Sequence, residues 1–137
     1  MAIPNGAGGY QLGSGNRGET VMGYAAAPQT ATATATLSAA QLIGGVLSAN
    51  PSTSAATYTM PAASTLDTAL PNAVAGSTFD LAIVNIGTSS GTVTLSMGSG
   101  TGFTDGGNAV VAVATTSSAL FRFRKTAEGA YTVYKIA

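Results

Sequence analysis

Three glycines near the N-terminus have a spacing that could bind a cofactor. Gly13-x-Gly15-x-x-Gly18, in "QLGSGNRGET", has the spacing of the loop that holds the pyrophosphate of a dinucleotide. Such a loop needs a buried strand before it, a helix N-terminus after it and an acidic residue about 20 positions further on. The flanking segments "MAIPNGAGGY" and "TVMGYAAAPQT" are instead full of turn residues, and Gly23 and Pro28 interrupt any helix. We therefore predict no cofactor at this motif.

The carboxylates offer a second possible chemistry, because a glycosidase needs two of them opposed across a cleft. The chain contains five: Asp67, Asp80, Asp105, Glu19 and Glu128. Asp67 follows Ser64 at the spacing of a capping box, Asp80 lies in an apolar strand pattern, and Asp105 lies in the turn-like "TDGGN". Each aspartate thus has a local structural explanation. The sequence predicts no catalytic pair, no calcium site at Asp105 and Asn108, and no enzymatic activity.

The composition excludes several further kinds of site. The 137 residues include no Cys and no His, so the chain has no thiolate, no imidazole base, no disulfide and no zinc site of the usual ligands. Five basic and five acidic residues cancel, and charged residues make up only 7% of the chain. A neutral chain neither attracts nucleic acid nor repels its own copies. Without a long apolar run or a basic start, it is expected to have no membrane span and no signal peptide.

The stretch "FRFRK", residues 121–125, interleaves aromatic and basic side chains as some nucleic-acid-binding segments do. On a strand, however, Phe121 and Phe123 would face the core while Arg122 and Arg124 face outward, so the rings could not stack on bases. Two interpretations remain open. In one, the outer face of this strand is solvated. In the other, Arg122, Arg124, Lys125 and Lys135 contact acidic or backbone groups of a partner subunit.

Residues 1–29 have the composition of an extended arm. Glycine, proline and asparagine are dense, and the few large side chains follow neither a helical nor a strand period. Composition alone is also compatible with a disordered tail. Isolated aromatic and aliphatic residues are poor solvating groups, however, and suit an arm that docks on another surface. We expect an arm that is ordered in an assembly, with its anchors at Tyr10, Leu12, Met22 and Tyr24.

Residues 30–137 carry the pattern of a β-rich domain. Strict Thr/Ala alternation in "QTATATATL" predicts a strand, Ser38 is placed as the N-cap of a short helix, and "ASTLDTALP" predicts a second short helix. "STFDLAIVNIG" is apolar on both alternating faces, which is typical of a strand buried on both sides. The long "GSGTGFTDGGN" reads as a flexible connection.

Five other segments alternate or are apolar enough to be strands: "AATYTMP", "GTVTLSM", "AVVAVAT", "ALFRFRK" and "AYTVYKI". The last two are joined by the hairpin loop "TAEG". The expected fold is all-β: a single β-sandwich, of jelly-roll type in one version, with about seven strands and one or two short helices. The expected domains are the arm, 1–29, and the sandwich, 30–137.

Several of these segments together resemble the head decoration, or cement, proteins of tailed bacteriophages. They are "PNGAGGYQLGSGNRGETVMGY", "TATATLSAAQLIGGVL", "ATYTMPAASTLDTALP" and "GSTFDLAIVNIG". The resemblance implies a β-sandwich on the outer surface of a virion capsid, made in the host cytoplasm and commonly trimeric, with its arm gripping the shell. The implied partners are the major capsid protein and further copies of the chain, with no cofactor, nucleic acid or membrane.

A second function is compatible with the same fold. A tail-fibre or receptor-binding module could display "GSGTGFTDGGN" and neighbouring loops to a glycan on the host surface. The two functions differ in the position on the particle, head or tail.

Overall fold

The computed structural model describes residues 3–4, 10–11 and 25–137. Two helices lie in this part of the chain, α1 (Ala39–Ile43) and α2 (Ala63–Ala69). Its strands are β1 (Ile3–Pro4), β2 (Tyr10–Gln11), β3 (Gln29–Ala31), β4 (Ala35–Thr36), β5 (Val46–Ala49), β6 (Ala56–Thr59), β7 (Thr78–Asn85), β8 (Val93–Ser96), β9 (Phe103–Gly107), β10 (Ala112–Val113), β11 (Ser117–Ala127) and β12 (Ala130–Lys135).

The strands form two large sheets that the chain visits alternately. One sheet has six strands in the order β3-β5-β7-β11-β12-β9, and the other has four in the order β10-β8-β6-β4. The chain passes from β3 to β4, through α1 to β5 and β6, and through α2 to β7 and β8. Successive passes pair in parallel in both sheets. Parallel neighbours need a crossover, and here each crossover contains a strand of the other sheet and a short helix.

The fold is β-rich, as the sequence predicts, but the expected single all-β sandwich is not confirmed. Both large sheets are mixed, with parallel and antiparallel pairs, and the described part of the chain has more strands than the seven expected. Local alternation identifies strands without showing which strands pair. An antiparallel arrangement therefore could not be distinguished from this one by pattern alone.

One buried core serves both sheets. Leu47, Ile83 and Phe121 of the six-stranded sheet belong to the same cluster as Tyr58 and Leu95 of the four-stranded sheet, and all are almost fully buried. The Tyr58 hydroxyl also donates a hydrogen bond to the Ala31 carbonyl oxygen at 3.0 Å, which joins the two sheets directly. Burial raises the pKa of this phenol, so it remains a donor.

The prediction that "QTATATATL" forms one continuous strand is wrong. Gln29–Ala31 and Ala35–Thr36 are separate strands in different sheets. At the end of the first strand, the Ala31 carbonyl accepts a hydrogen bond from the backbone N–H of Asn50. Between the two strands, the Thr34 hydroxyl accepts one from the backbone N–H of Thr57. The Thr/Ala alternation therefore spans a bend at which the chain changes sheet. Hydrogen bonds to neighbouring segments satisfy the polar groups of this bend.

The two helices confirm different parts of the prediction. Ser38 caps α1, and it forms a full capping box with Gln41. The helix α2 lies where "ASTLDTALP" predicted it, but its N-cap is Ala62, which makes no side-chain cap. The capping role given to Asp67 is therefore wrong. The carboxylate is bound by more distant partners that sequence spacing does not reveal.

The hairpin of β11 and β12 is confirmed, with Phe121 and Phe123 buried and Arg122 and Arg124 exposed. The flexible connection expected over residues 98–108 is wrong in part, because Phe103–Gly107 forms β9 and pairs in parallel with β12. Strand pairing uses backbone N–H and C=O groups, which glycine supplies as well as other residues do, so a glycine-rich segment can form an edge strand.

The structure describes only part of the N-terminal segment that is predicted to be an arm. Tyr10 lies in β2, which pairs antiparallel with β1, and Pro4 is its register partner. Leu12, Met22 and Tyr24 lie outside the described residues. The boundary between arm and domain at residue 29 stays a prediction.

A buried asparagine at the end of β7 links this strand to the loop that follows it and to the four-stranded sheet. The Asn85 side chain is almost fully buried; its Nδ2 donates to the carbonyls of Gly91 and Val113, and its Oδ1 accepts from the backbone N–H of Gly87. Val113 belongs to the four-stranded sheet, so this amide links the two sheets. All of its hydrogen bonds go to backbone groups that have little access to water.

Replacing Asn85 with Ala should lower the free energy of unfolding by about 3 kcal/mol, because buried backbone groups are left without partners. Chemical denaturation measures the loss. The matched control is Asn72→Ala, whose side chain is exposed. Equal losses in the two variants would contradict this role for Asn85.

Candidate functional site

The most distinctive surface of the described chain is the outer face of the six-stranded sheet. Side chains alternate along each strand, so the neighbours of the buried residues of β5, β7, β11 and β12 point away from the core. Six of these outward residues are apolar, and we call them the apolar strip: Val46, Ala82, Val84, Ile86, Leu120 and Ile136.

The pairing register brings the apolar strip together from four strands. Val46 is the partner of Ala82, and Ala82 is the partner of Leu120. Leu120 in turn accepts a 2.8 Å hydrogen bond from the backbone of Ile136, which follows β12. Side chains on one face of paired strands lie about 5 Å apart, so the row is continuous across the sheet.

The strip is open to solvent within residues 25–137. Ile86 and Ile136 are each 51% exposed and Val46 is 37% exposed, while Ala82, Val84 and Leu120 are half-buried by their neighbours. The prediction that "STFDLAIVNIG" is buried on both sides is therefore wrong for the described part of the chain. The core covers one face of this strand, and no other described element covers the second.

A charged pair lies next to the strip on the same face. Asp80 and Arg122 are partners in the β7–β11 register, and the guanidinium donates from Nε and Nη2 to the two carboxylate oxygens at 2.8 Å each. This bidentate contact lowers the pKa of Asp80 and raises that of Arg122. Contact of Arg122 and Arg124 with a partner subunit stays a prediction, but Arg122 already has one acidic partner within its own chain.

Tyr134 forms the far side of the same face, against the edge strand β9. A β-carbon added to Gly106 would lie 2.4 Å from the Tyr134 ring and from the Thr132 methyl group. The phenol ring therefore lies directly over bare backbone. Only glycine at position 106 leaves room for this packing.

A second polar cluster lies between α2 and the hairpin, away from the outer face. Lys125 Nζ is 2.6 Å from Oδ1 of Asp67, and the Tyr131 hydroxyl donates to the same oxygen at 2.6 Å. The backbone N–H of Gly129 donates to Oδ2, also at 2.6 Å. Lys125 is only 7% exposed, and its ammonium group lies 5.9 Å from the centre of the Tyr131 ring.

The contacts of this cluster shift the pKa values of Asp67 and Tyr131 in opposite directions. The hydrogen bonds from Lys125, Tyr131 and Gly129 lower the pKa of Asp67 to about 2. Burial, and then the bond to Asp67, raises the pKa of Tyr131. The three donors occupy most of the acceptor sites of this ionised carboxylate. The arrangement fastens α2 to the hairpin.

Sequence reasoning missed this cluster, although one signal for it was present. Continuing the alternation of Phe121 and Phe123 puts Lys125 on the inward side of β11. A buried lysine needs an acidic partner, and Asp67 is one of only five carboxylates in the chain. The alternative in which Lys125 contacts a partner subunit is wrong, because Lys125 is buried and paired with Asp67 within its own chain.

The remaining predicted sites have structural roles. Asp105 Oδ1 accepts from the backbone of Gly107 and of Ala109, at 2.9 and 3.0 Å, and the bond from Ala109 is the main cause of the lowered pKa of Asp105. This is the turn role expected from "TDGGN". Among the described residues, no three metal-binding side chains cluster together. Neither described helix is long and apolar enough to cross a membrane.

Comparison with known proteins identifies no relative. No protein-family model matches the chain, and no curated protein or solved structure shows significant similarity to it.

Replacing Asp67 with Asn should destabilise the protein by about 3 kcal/mol at neutral pH, because it leaves the buried Lys125 ammonium without its counter-charge. The loss is measured by denaturant unfolding. Asp80→Asn, which breaks an exposed pair, is the matched control and should cost less.

The same variant tests the pH dependence of stability. The pKa of folded Asp67, about 2, lies below the value of about 3.9 for an unfolded aspartate. Its contribution is therefore complete above about pH 4 and is lost as the pH falls towards 2. Across that window, wild-type stability should fall more steeply than that of Asp67→Asn. Parallel curves would show that Asp67 does not carry this dependence.

Proposed function

We propose that this chain is a structural protein of a bacteriophage virion that binds the outer surface of the capsid and stabilises the shell as a homo-oligomer. The major capsid protein and other copies of the chain are its partners, and the resemblance described above favours a trimer. In this proposal the two large sheets, which share one core, form the body of the molecule.

The observation that carries the proposal is the open apolar strip on an otherwise neutral, weakly charged body. A sheet face of this kind is suited to burial against protein, since apolar area gains free energy when it is removed from water. The three aspartates, which are the residues most able to do chemistry here, are engaged by partners within the chain. These features favour a binding role over catalysis.

The proposed mechanism is mechanical. Oligomers that bridge neighbouring capsomers bury surface that is accessible only before assembly, and many weak contacts on one shell add up through avidity. In this proposal residues 1–29 grip the shell, with Tyr10, Leu12, Met22 and Tyr24 as anchors, while the sheet body forms contacts between copies.

The glycan-binding alternative has less structural support. It depends on "GSGTGFTDGGN" being displayed as a loop, but residues 103–107 of this segment are a paired strand in the six-stranded sheet. Immunogold labelling of virions distinguishes the alternatives, because label on the tail favours the receptor-binding module and label on the head favours the capsid protein.

Deleting residues 1–24 should abolish binding to purified capsids of the virus that encodes the chain, because the arm supplies the shell contact. Co-sedimentation with capsids measures binding, and a full-length chain with Gln11→Ala is the control for changes in the arm outside the proposed anchors.

Unaltered binding of the truncated chain would refute the role of the arm. Failure of the full-length chain to bind capsids would refute the proposed function itself.

A further inference from the structure

We propose that a second copy of this chain covers the outer face of the six-stranded sheet, with the apolar strip as the centre of the contact. This inference deepens the proposed function, and it relies on that function only for the setting in which the oligomer acts. It assigns to one named surface the self-association that composition alone suggests.

The first argument is the mismatch between the sequence pattern and the burial of β7. From Leu81 to Ile86 the outward side chains, Ala82, Val84 and Ile86, are all apolar, as is typical of strands covered on both sides. Leu81 and Ile83, on the inward face, are fully buried, whereas Ile86, just after β7, is half exposed. This pattern favours a second covering layer, and residues 25–137 do not supply one.

The second argument is charge complementarity. Asp80 and Arg122 lie side by side on this face, so it presents an acid and a base next to each other. When two identical faces meet, the acid of one copy can share the guanidinium of the other, and neither charge is buried alone. The zero net charge of the chain means that no long-range repulsion opposes the approach of another copy.

The third argument is the extent of the surface. At about 3.4 Å per residue and about 4.8 Å between strands, the six strands cover roughly 600 Å² in projection. Accessible area exceeds projected area because side chains stand out from the sheet. A standard protein interface buries about 800 Å² on each partner, so this face has the size of one side of such an interface.

The test measures the mass of the full-length protein in solution by sedimentation equilibrium over a wide concentration range. Wild-type protein should sediment as two or more chains. Ile86→Asp and Ile136→Asp should each weaken self-association about a hundredfold or more, because an unpaired charge would be buried in the contact. Both side chains are half exposed in the single chain, so folding should be retained, which circular dichroism checks.

The matched control is Val74→Asp. Val74 is 68% exposed but lies in the connection after α2, away from the outer face. This variant should associate like the wild type. A wild-type protein that stays monomeric, or Ile86→Asp and Ile136→Asp variants that associate normally, would overturn the inference.

A second measurement does not depend on the aspartate variants. The chain has no cysteine, so Ser118→Cys places a single thiol on the outer face, and Ser99→Cys places one in an exposed loop. In the oligomer, the thiol at position 118 should react with a maleimide about tenfold more slowly than the thiol at 99, because the contact must open first. Equal rates at concentrations where the protein is oligomeric would also overturn the inference.

The results separate this inference from the proposed function. Self-association through the outer face without capsid binding would support the inference and refute the function. A monomeric wild type whose capsid binding is lost in Ile86→Asp would show that the shell covers this face. That result would refute the inference and the homo-oligomer but would support the capsid-binding part of the proposed function.

Discussion

The parallel backbone pairing between successive passes of the chain is the interaction on which the rest of the structure depends. Each pass contributes one strand to the six-stranded sheet and one to the four-stranded sheet. The register sets Leu47 beside Ile83 in one sheet and Tyr58 beside Leu95 in the other. Because side chains alternate across a strand, one register decides at once which residues enter the core and which face outward.

The same register creates the outer surface. Val46, Ala82 and Leu120 form a row because the residues next to them, all buried, are also partners. The same strand register therefore places the core residues on one face of the sheet and the apolar strip on the other. A change in register would expose the core and break up the strip, so the stability of the fold and the shape of the contact surface cannot be varied independently.

Two polar side chains inside the molecule link elements that are far apart along the chain. Asn85 links the two sheets through backbone partners, and Asp67 links α2 to the hairpin through Lys125 and Tyr131. Both are satisfied almost entirely within the chain, which is the condition for burying such groups without a large penalty. With so few charges in the sequence, each internal pair has few competing partners, and this favours a unique arrangement.

The sequence alone determined the local features of the protein. Alternation located most of the strands, and Ser38 marked the start of α1, because periodicity and capping depend on residues close together along the chain. The alternation of side chains along a strand also predicted that Phe121 points inward and Arg122 outward. Tertiary structure alone decided which strands pair, that Asp67 binds Lys125 rather than capping a helix, and that the described elements cover only one side of β7. These outcomes depend on contacts between residues far apart in sequence. The local sequence pattern does not specify which distant residues will form those contacts.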